Sequence, residues 1–248
     1  MIRAVVTSIV LLGLWWVGVS IFAPPAFILP SPVSVFETLS AQWVSLLYHA
    51  GITFSEIVLG LICGTILGVG TAILLNSARW TTRYILPVVM ASQALPVFAI
   101  APLLVLWFGL GLGSKIAMAT LIIYFPIASA LNDGLRRADG QLIDLARLYR
   151  ATPFETLLYF RLPAAMPSLA SGLRVAATIA PIGAVVGEWV GAAAGLGYVI
   201  NQANARMQTD TVFAALLLLI IMVVLLRATV DTLLDRLVHW APRTETYL

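Results

Sequence analysis

Long apolar runs separated by short polar segments dominate this chain. A transmembrane helix needs about 20 predominantly apolar residues, and runs of that length recur along the sequence. They predict six membrane-spanning helices, at about residues 4–22, 51–75, 85–109, 115–133, 169–190 and 211–234. The pattern therefore predicts an all-α membrane protein in which one transmembrane domain covers residues 1–248.

The longest polar interruption lies between Gly134 and Pro167 and carries eight charged side chains, a density that lipid does not tolerate. Apolar residues at helical spacing predict a short helix from Asp139 to Tyr149. A second helix is predicted to start after Thr152, because the sequence Thr-Pro-Phe-Glu matches a capping box with proline at the first helical position.

Two prolines limit this second helix. Pro163 and Pro167 lack a backbone N–H and disfavour helix in the residue before them, so we expect the helix to end near Leu162. Residues 139–163, called the 139–163 segment below, are therefore predicted to form a helix-turn-helix on the cytosolic side of the membrane.

Proline and polar residues also mark the first outer segment and the third apolar run. Residues 34–48 have apolar positions at helical spacing, which predicts an amphipathic helix along the outer interface; a simple surface loop is the alternative. In the third run, Pro96 predicts a break, and Gln93 beside it offers a donor and an acceptor to a solute.

Composition and charge agree with a membrane protein. The chain is 61% hydrophobic and 10% charged, its mean hydropathy is +1.01, and soluble proteins carry about 25% charged residues. An orientation with both termini in the cytosol places all but two of the 14 basic residues on the cytosolic side, Lys115 and Arg206 being outside. This asymmetry accounts for the net charge of +3, so lipid is the expected partner and nucleic acid is not.

No catalytic chemistry is visible in the sequence. His49 and His239 lie at opposite ends of the spans, Cys63 is the single cysteine, and no acid pair or metal-ligand spacing recurs. The glycine-rich turn at residues 109–115 lacks the order of a phosphate-binding loop, so this chain is not expected to hydrolyse ATP. We expect neither catalytic residues nor a metal site.

Two acidic residues lie inside apolar runs, where a charge is expensive. Glu188 either contacts the solute pathway or pairs structurally, for instance with Tyr198 or Asn201. Glu56 lies close enough to the outer interface for snorkelling or a local hydrogen bond to satisfy it.

The 139–163 segment resembles the signature loop of the membrane subunits of bacterial binding-protein-dependent ABC importers. The pattern of that family is Glu-Ala-Ala, three residues, Gly, nine residues and Ile-x-Leu-Pro. The same spacing gives Asp144-Leu145-Ala146, Arg150 and Phe160-Arg161-Leu162-Pro163 here. Arg150 replaces the glycine, and a residue with a Cβ enters a left-handed backbone at a cost of about 1 kcal/mol. We therefore expect the turn to be built differently.

The resemblance extends over essentially the whole chain. Residues 27–32, 107–111 and 187–189 are similar to the nitrate, sulfonate and taurine branch of the family. Within that branch, residues 181–191 and 204–210 look most like permeases for hydroxymethylpyrimidine, a precursor of thiamine.

The resemblance implies a permease subunit of the bacterial inner membrane that works with other proteins. A cytosolic subunit would bind ATP and magnesium, so this chain itself would bind no cofactor. A second permease subunit, expected to be an identical copy, would complete the pathway. The residues expected to contact the ATPase subunit are Asp144, Ala146, Arg147, Arg150, Phe154, Leu157, Leu162 and Pro163. A periplasmic or lipid-anchored solute-binding protein is expected to dock at Arg206.

For the solute, the leading hypothesis is a pyrimidine precursor of thiamine, contacted by Gln93, Tyr124 and Glu188. Two alternatives remain open. One is an importer of alkanesulfonate, taurine or nitrate. The other is a proton-coupled secondary transporter, which would use intramembrane acids such as Glu56 and Glu188 but would have no need of the 139–163 segment.

Overall fold

The computed structural model describes residues 2–77, 79–94 and 96–240, and every regular element in these ranges is helical. The helices are α1 (Ile2–Phe22), α2 (Pro32–Ala41), α3 (Trp43–Ser77), α4 (Arg79–Ala94), α5 (Val97–Phe108), α6 (Leu112–Arg136), α7 (Gly140–Leu148), α8 (Pro153–Glu155), α9 (Leu162–Trp189), α10 (Leu196–Ala205) and α11 (Thr209–Leu237). A π-helical turn, Thr156–Arg161, joins α8 to α9.

Within the described residues, four helices are long and apolar enough to cross a bilayer: α3, α6, the continuous helix Pro153–Trp189 and α11. The pair formed by α4 and α5 makes a fifth if it is counted as one broken span. A shorter apolar helix, Ile9–Phe22, lies within α1. The predicted all-α membrane fold is confirmed.

The third predicted span, residues 85–109, is not one straight helix. It consists of α4 and α5, which meet at an angle of 97°. Pro96 is the N-cap of α5, with φ of −65° and ψ of 118°. Because proline has no N–H to donate and restricts the residue before it, the helix is interrupted where the sequence predicted a break.

Helix α6 lies at the centre of the bundle, between α3 and α9. A Cβ on Gly60 of α3 would lie 2.5 Å from the Cβ of Ala119, and a Cβ on Gly183 of α9 would lie 2.6 Å from the Cα of Ala119. Small residues on α3 and α9 therefore let both helices approach the α6 backbone closely, as expected in lipid. The principal core cluster forms along these contacts and includes Ile123 and Ile127, both fully buried.

The predicted amphipathic helix at residues 34–48 is wrong as a single element. The chain forms α2, which has Ser31 as its N-cap, and then begins the long helix α3 at Trp43. Val35 and Leu46 are buried in a cluster with residues of α10 and α11, and Thr38 donates a hydrogen bond of 2.8 Å to Asp210. Tertiary contacts with α11 thus fix this segment against the bundle.

The bundle has two ends. One, called the α10 end, carries α10, the start of α3, the turn between α5 and α6, and the end of α9. The opposite end, called the segment end, carries the 139–163 segment. At the segment end, Arg174 of α9 forms ion pairs of 3.0 Å and 2.7 Å with Asp231 and Asp235 of α11. Arg227 also pairs with Asp231, at 2.9 Å. The two ion pairs of Arg174 join α9 to α11, and the Arg227–Asp231 pair lies within α11.

Candidate functional site

The first helix of the 139–163 segment begins at a cap and ends in a left-handed turn. Asp139 accepts a 3.0 Å hydrogen bond from the N–H of Gln141 and is the N-cap of α7. At the other end, Arg150 has φ of +51°. Its N–H donates to Arg147 O at 2.9 Å, and the N–H of Ala151 donates to Ala146 O at 3.0 Å. These two bonds are those of a Schellman motif.

The expectation of a different turn at Arg150 is therefore wrong. Arg150 itself adopts the left-handed backbone that glycine favours, at a cost of about 1 kcal/mol. The two hydrogen bonds of the motif satisfy carbonyl groups at the end of α7 that would otherwise lack partners, which offsets this cost.

The predicted capping box at the start of α8 is confirmed. The hydroxyl of Thr152 accepts from the N–H of Glu155 at 3.3 Å, and the carboxylate of Glu155 accepts from the N–H of Thr152 at 2.7 Å. Pro153 occupies the first turn, where its missing N–H costs nothing. This cap fixes the direction in which the chain leaves the turn after α7.

The predicted end of this helix near Leu162 is wrong. The chain continues through the π-helical turn into α9 and remains helical to Trp189. In the wider turn, the N–H of Leu162 donates to Leu157 O, five residues earlier. Pro163 then lies at the start of α9, where it is tolerated. The 139–163 segment is thus continuous with a membrane helix, so a displacement of the segment would act directly on α9.

The side chains predicted to contact an ATPase subunit fall into exposed and inward-facing groups. Phe154 is 70% exposed, and Asp144 and Arg147 form an exposed ion pair of 2.9 Å. By contrast, Ala146 is buried, and Leu157 and Leu162 pack against the principal core cluster. Arg150 and Pro163 are exposed. Phe154 is therefore better placed than Leu157 to meet a partner.

Sequence reasoning missed part of this exposed surface. Leu148 and Tyr149, at the end of α7, are 81% and 76% exposed. Leu148 and Tyr149 are adjacent, and contiguous apolar patches exposed outside the membrane mark binding surfaces. The sequence could have indicated this surface, because these apolar side chains lie among charged residues in a segment predicted to be outside the membrane.

The three predicted pathway residues do not form one cluster. Tyr124 of α6 is 7% exposed, and its hydroxyl is hydrogen-bonded to Ser92 near the end of α4. The side chain of Gln93 lies outside what the structure describes. Glu188 lies at the level of Lys115, as the contact of Gly187 with Lys115 shows. Nine residues of α6 separate Lys115 from Tyr124, about 14 Å at 1.5 Å per residue.

Glu188 is 1% exposed and belongs to a polar network at the start of α10. Thr53 of α3 donates a 2.6 Å hydrogen bond to one carboxyl oxygen of Glu188, and the N–H of Gly197 donates to the other. The N–H of Leu196 donates to the Thr53 hydroxyl at 2.7 Å. The N–H of Gly195 donates to Nδ1 of His49 at 3.0 Å. Side chains of α3 and α9 thus satisfy the first N–H groups of α10.

We call His49, Thr53 and Glu188 the α10 cap. The sequence suggested Tyr198 and Asn201 as structural partners of Glu188, whereas the Thr53 hydroxyl and the backbone N–H of Gly197 bind it. One signal could have indicated the α3 side of this network. His49, Thr53 and Glu56 recur at positions i, i+4 and i+7 and so share one face of an otherwise apolar helix.

Arg206 lies at the α10 end, as the C-cap of α10, and its side chain is exposed. Asn201, Gln202 and Asn204 on the same helix are also exposed. The structure therefore presents polar side chains on the surface where the sequence predicted a soluble partner. Docking of that partner remains a prediction.

Comparison with known proteins identifies the family. Residues 57–241 match the model of the family described as "Binding-protein-dependent transport system inner membrane component". A probable ABC transporter permease protein of Haemophilus influenzae is 49% identical over 92% of this chain and 94% of its own length. The chain belongs to this family and is an ABC transporter permease subunit.

Relatives named for several solutes match almost the whole chain. The riboflavin transport system permease protein of Chloroflexus aurantiacus is 38% identical over 95% of this chain and 88% of its own length. The formylaminopyrimidine transport permease protein of Halalkalibacterium halodurans is 33% identical over 94% of this chain and 93% of its own length. A putative aliphatic sulfonates transport permease protein of Bacillus subtilis is 31% identical over 93% of this chain and 84% of its own length.

A solved structure supports the fold. An inward-facing structure of the MetNI methionine ABC transporter matches with a TM-score of 0.70 at 21% identity, covering 79% of this chain and 97% of the matched chain.

Proposed function

We propose that this permease subunit imports a small heteroaromatic solute, with a pyrimidine precursor of thiamine as the leading candidate. The observation that carries the proposal is that relatives named for riboflavin and formylaminopyrimidine, both nitrogen heteroaromatics, match this chain at 38% and 33% identity over nearly its whole length. Membership in the ABC permease family leaves the proton-coupled secondary transporter without support.

The contacts of Tyr124 support a heteroaromatic solute. Its ring lies on α6 beside the broken α4–α5 pair, and its hydroxyl is hydrogen-bonded to Ser92. An aromatic face together with a few hydrogen-bonding groups suits a flat ring that carries nitrogen and hydroxyl groups. Helix breaks of this kind normally face a pathway in transporters. We assign Ser92 and Tyr124, together with Gln93, which follows Ser92 in the sequence, to the solute pathway.

The basic residues argue against an anionic solute. From Tyr84 to Leu135 the sequence contains one basic residue, Lys115. Its ammonium group donates to Leu110 O at 2.6 Å and to Gly111 O at 2.9 Å. A sulfonate would call for a free cation or a helix N-terminus directed at it. This favours a neutral ring over taurine or an alkanesulfonate, although a sulfonate permease is among the relatives.

The two ends of the bundle support a proposal for the partners. The exposed side chains of the 139–163 segment would bury apolar area in a groove of the ATPase subunit, with Phe154 as the principal anchor. The polar α10 end would receive the solute-binding protein, which would hold the solute tightly while the pathway binds it weakly. The bundle supplies half of a pathway, and we propose a second copy of this chain as the other half.

Reconstituted transport tests the solute. The permease, its ATPase subunit and its binding protein are placed in proteoliposomes, and ATP-driven uptake is measured with radiolabelled hydroxymethylpyrimidine, formylaminopyrimidine, riboflavin and taurine in parallel. We expect uptake of a pyrimidine and none of taurine. Uptake of taurine alone would show that the heteroaromatic proposal is wrong.

Two variants test the assigned pathway. Tyr124→Phe removes the hydroxyl that contacts Ser92 and keeps the ring, and Ser92→Ala removes the other partner. Because one hydrogen bond contributes about 1 kcal/mol, we expect each variant to lower uptake several-fold. Tyr48→Phe is the matched control, since Tyr48 is 65% exposed on α3. Unchanged uptake in both test variants would exclude this pair from the pathway.

A further inference from the structure

Two carboxyl groups are buried side by side at the α10 end. Glu56 of α3 is fully buried and Glu188 of α9 is 1% exposed. Thr53, which lies one helical turn before Glu56 on α3, donates a 2.6 Å hydrogen bond to Glu188, and this places the two carboxyls within hydrogen-bonding reach of each other. Two carboxylates at this distance in an apolar interior repel each other strongly, and each would carry a large desolvation cost.

The hydrogen bonds of the two groups are unequal. Glu188 accepts from the Thr53 hydroxyl at 2.6 Å and from the N–H of Gly197. Neither oxygen of Glu56 receives a hydrogen bond from a donor in the described part of the chain. Donors directed at a carboxylate stabilise its charged form, whereas a buried carboxyl without donors is stable only when it is protonated. The environment therefore makes Glu188 the anion and Glu56 the neutral acid.

The charged and titratable neighbours of the pair also bear on how many negative charges it can hold. On α6, Lys115 is 5% exposed and lies near Glu56, but its ammonium donates to the carbonyls of Leu110 and Gly111. On α3, Nδ1 of His49 accepts from the N–H of Gly195, so that nitrogen carries no proton. On α10, Tyr198 is the one titratable residue, and its ring lies beside His49. In the described part of the chain, Lys115 is the one cation near this pair, so a single negative charge is balanced and a second is not.

We infer that Glu56 and Glu188 share one proton, which Glu56 carries and donates to the Glu188 carboxylate. The pair would then hold three helices together: Glu56 on α3 binds Glu188 on α9, and Glu188 caps the N-terminus of α10, where a negative charge is favoured. Glu56 and Glu188 are positioning residues in this arrangement. They fix α10, which carries the exposed side chain of Arg206, against α3 and α9.

The location of the proton is tested by infrared spectroscopy of the purified transporter at neutral pH. A protonated carboxyl has a C=O stretching band that a carboxylate lacks. We expect wild type to show this band, Glu56→Gln to lose it, and Glu188→Gln to retain it at a shifted frequency. Glu37→Gln, at an exposed position on α2, is the control and should leave the band unchanged. A band that persists unchanged in Glu56→Gln, or that wild type lacks, would overturn the inference.

The roles of the two residues are tested by comparing ATP-driven uptake in Glu56→Gln with uptake in Glu188→Gln. In Glu56→Gln, an amide N–H can donate to Glu188 in place of the protonated carboxyl, so we expect ATP-driven uptake to remain within about threefold of wild type. In Glu188→Gln, the negative charge that caps α10 is lost, and we expect uptake to fall about tenfold or more. Equal losses, or a larger loss in Glu56→Gln, would overturn the assignment.

The infrared test requires no solute and no binding protein, so it distinguishes failure of this inference from failure of the proposed heteroaromatic substrate. If Glu188→Gln does not fold, the spectra of wild type, Glu37→Gln and Glu56→Gln still decide whether Glu56 carries the proton.

Discussion

Two helix N-termini in this protein are capped by a threonine and a glutamate, under very different conditions. At the start of α8, Thr152 and Glu155 cap the helix from within four residues, and both side chains are exposed. At the start of α10, Thr53 and Glu188 come from two other helices and are buried. The chemistry is the same, whereas the medium and the sequence separation differ.

Burial decides what each cap contributes. Around Thr152 and Glu155, water can replace any hydrogen bond that is lost, so this cap mainly sets the direction of the chain. Thr53 and Glu188 are buried away from solvent, so each group that lost its partner would carry its full desolvation cost. The α10 cap is therefore expected to affect the stability of the whole bundle, and the α8 cap only the 139–163 segment.

Replacing the two glutamates tests this comparison most directly. Glu188→Ala leaves the Thr53 hydroxyl, the Gly197 N–H and the Glu56 carboxyl without their partner. We expect a loss of about 3 kcal/mol in stability, since each buried unsatisfied group costs about 1–3 kcal/mol. Glu155→Ala should leave the midpoint of thermal unfolding, measured in detergent, close to that of wild type. Similar midpoints for both variants would contradict the comparison.

The second prediction separates function from stability within the 139–163 segment. Phe154→Asp places a charge where an ATPase groove would bury it, and we expect uptake to fall about tenfold or more with normal membrane insertion. ATP hydrolysis should continue and become uncoupled from transport. Leu157→Asp should instead lower thermal stability, because Leu157 packs against the principal core cluster. Full uptake by Phe154→Asp in proteoliposomes would exclude Phe154 as an anchor.

A third prediction concerns the exposed surface at the α10 end. Arg206→Glu reverses a charge at the edge of the proposed docking surface, and such changes alter association about three- to tenfold. We expect a corresponding loss in the stimulation of ATP hydrolysis by the binding protein. Arg236→Glu, at the segment end, is the control with the same change of charge. If the two variants are stimulated equally, Arg206 lies outside the docking surface.

The smallest expected effect is at Arg150, whose backbone is left-handed. Arg150→Gly removes the clash of the Cβ and should stabilise the 139–163 segment by at most about 1 kcal/mol. Arg147→Gly, inside α7, should destabilise by a similar amount because glycine is a poor helix former. Hydrogen exchange of the α7 amides measures both changes. Faster exchange in Arg150→Gly than in wild type would show that the arginine side chain itself stabilises the turn.

Features whose partners lie within a few residues could be predicted from the sequence. The apolar runs predicted the membrane helices, and the Thr-Pro-Phe-Glu sequence predicted the cap of α8. The interruption at Pro96 was also predictable, because a missing N–H is a property of the residue itself. Each of these features depends on one residue or on neighbouring residues in the sequence.

Features that depend on distant residues were decided only by the tertiary structure. Pro163 ends a helix in isolation, but a π-helical turn carries the chain past it into α9, which packs on α6. Leu157 looked free to bind a partner, yet it packs against the core.

The α10 cap shows the same limit most clearly. His49 meets the backbone of Gly195 across 146 positions, and Thr53 meets Glu188 across 135. Helical periodicity places His49, Thr53 and Glu56 on one face of α3 without indicating what that face meets. The partner of a buried polar group depends on which helices pack together. That choice is made by close contacts of small residues along α6 over the whole bundle, which no local pattern encodes.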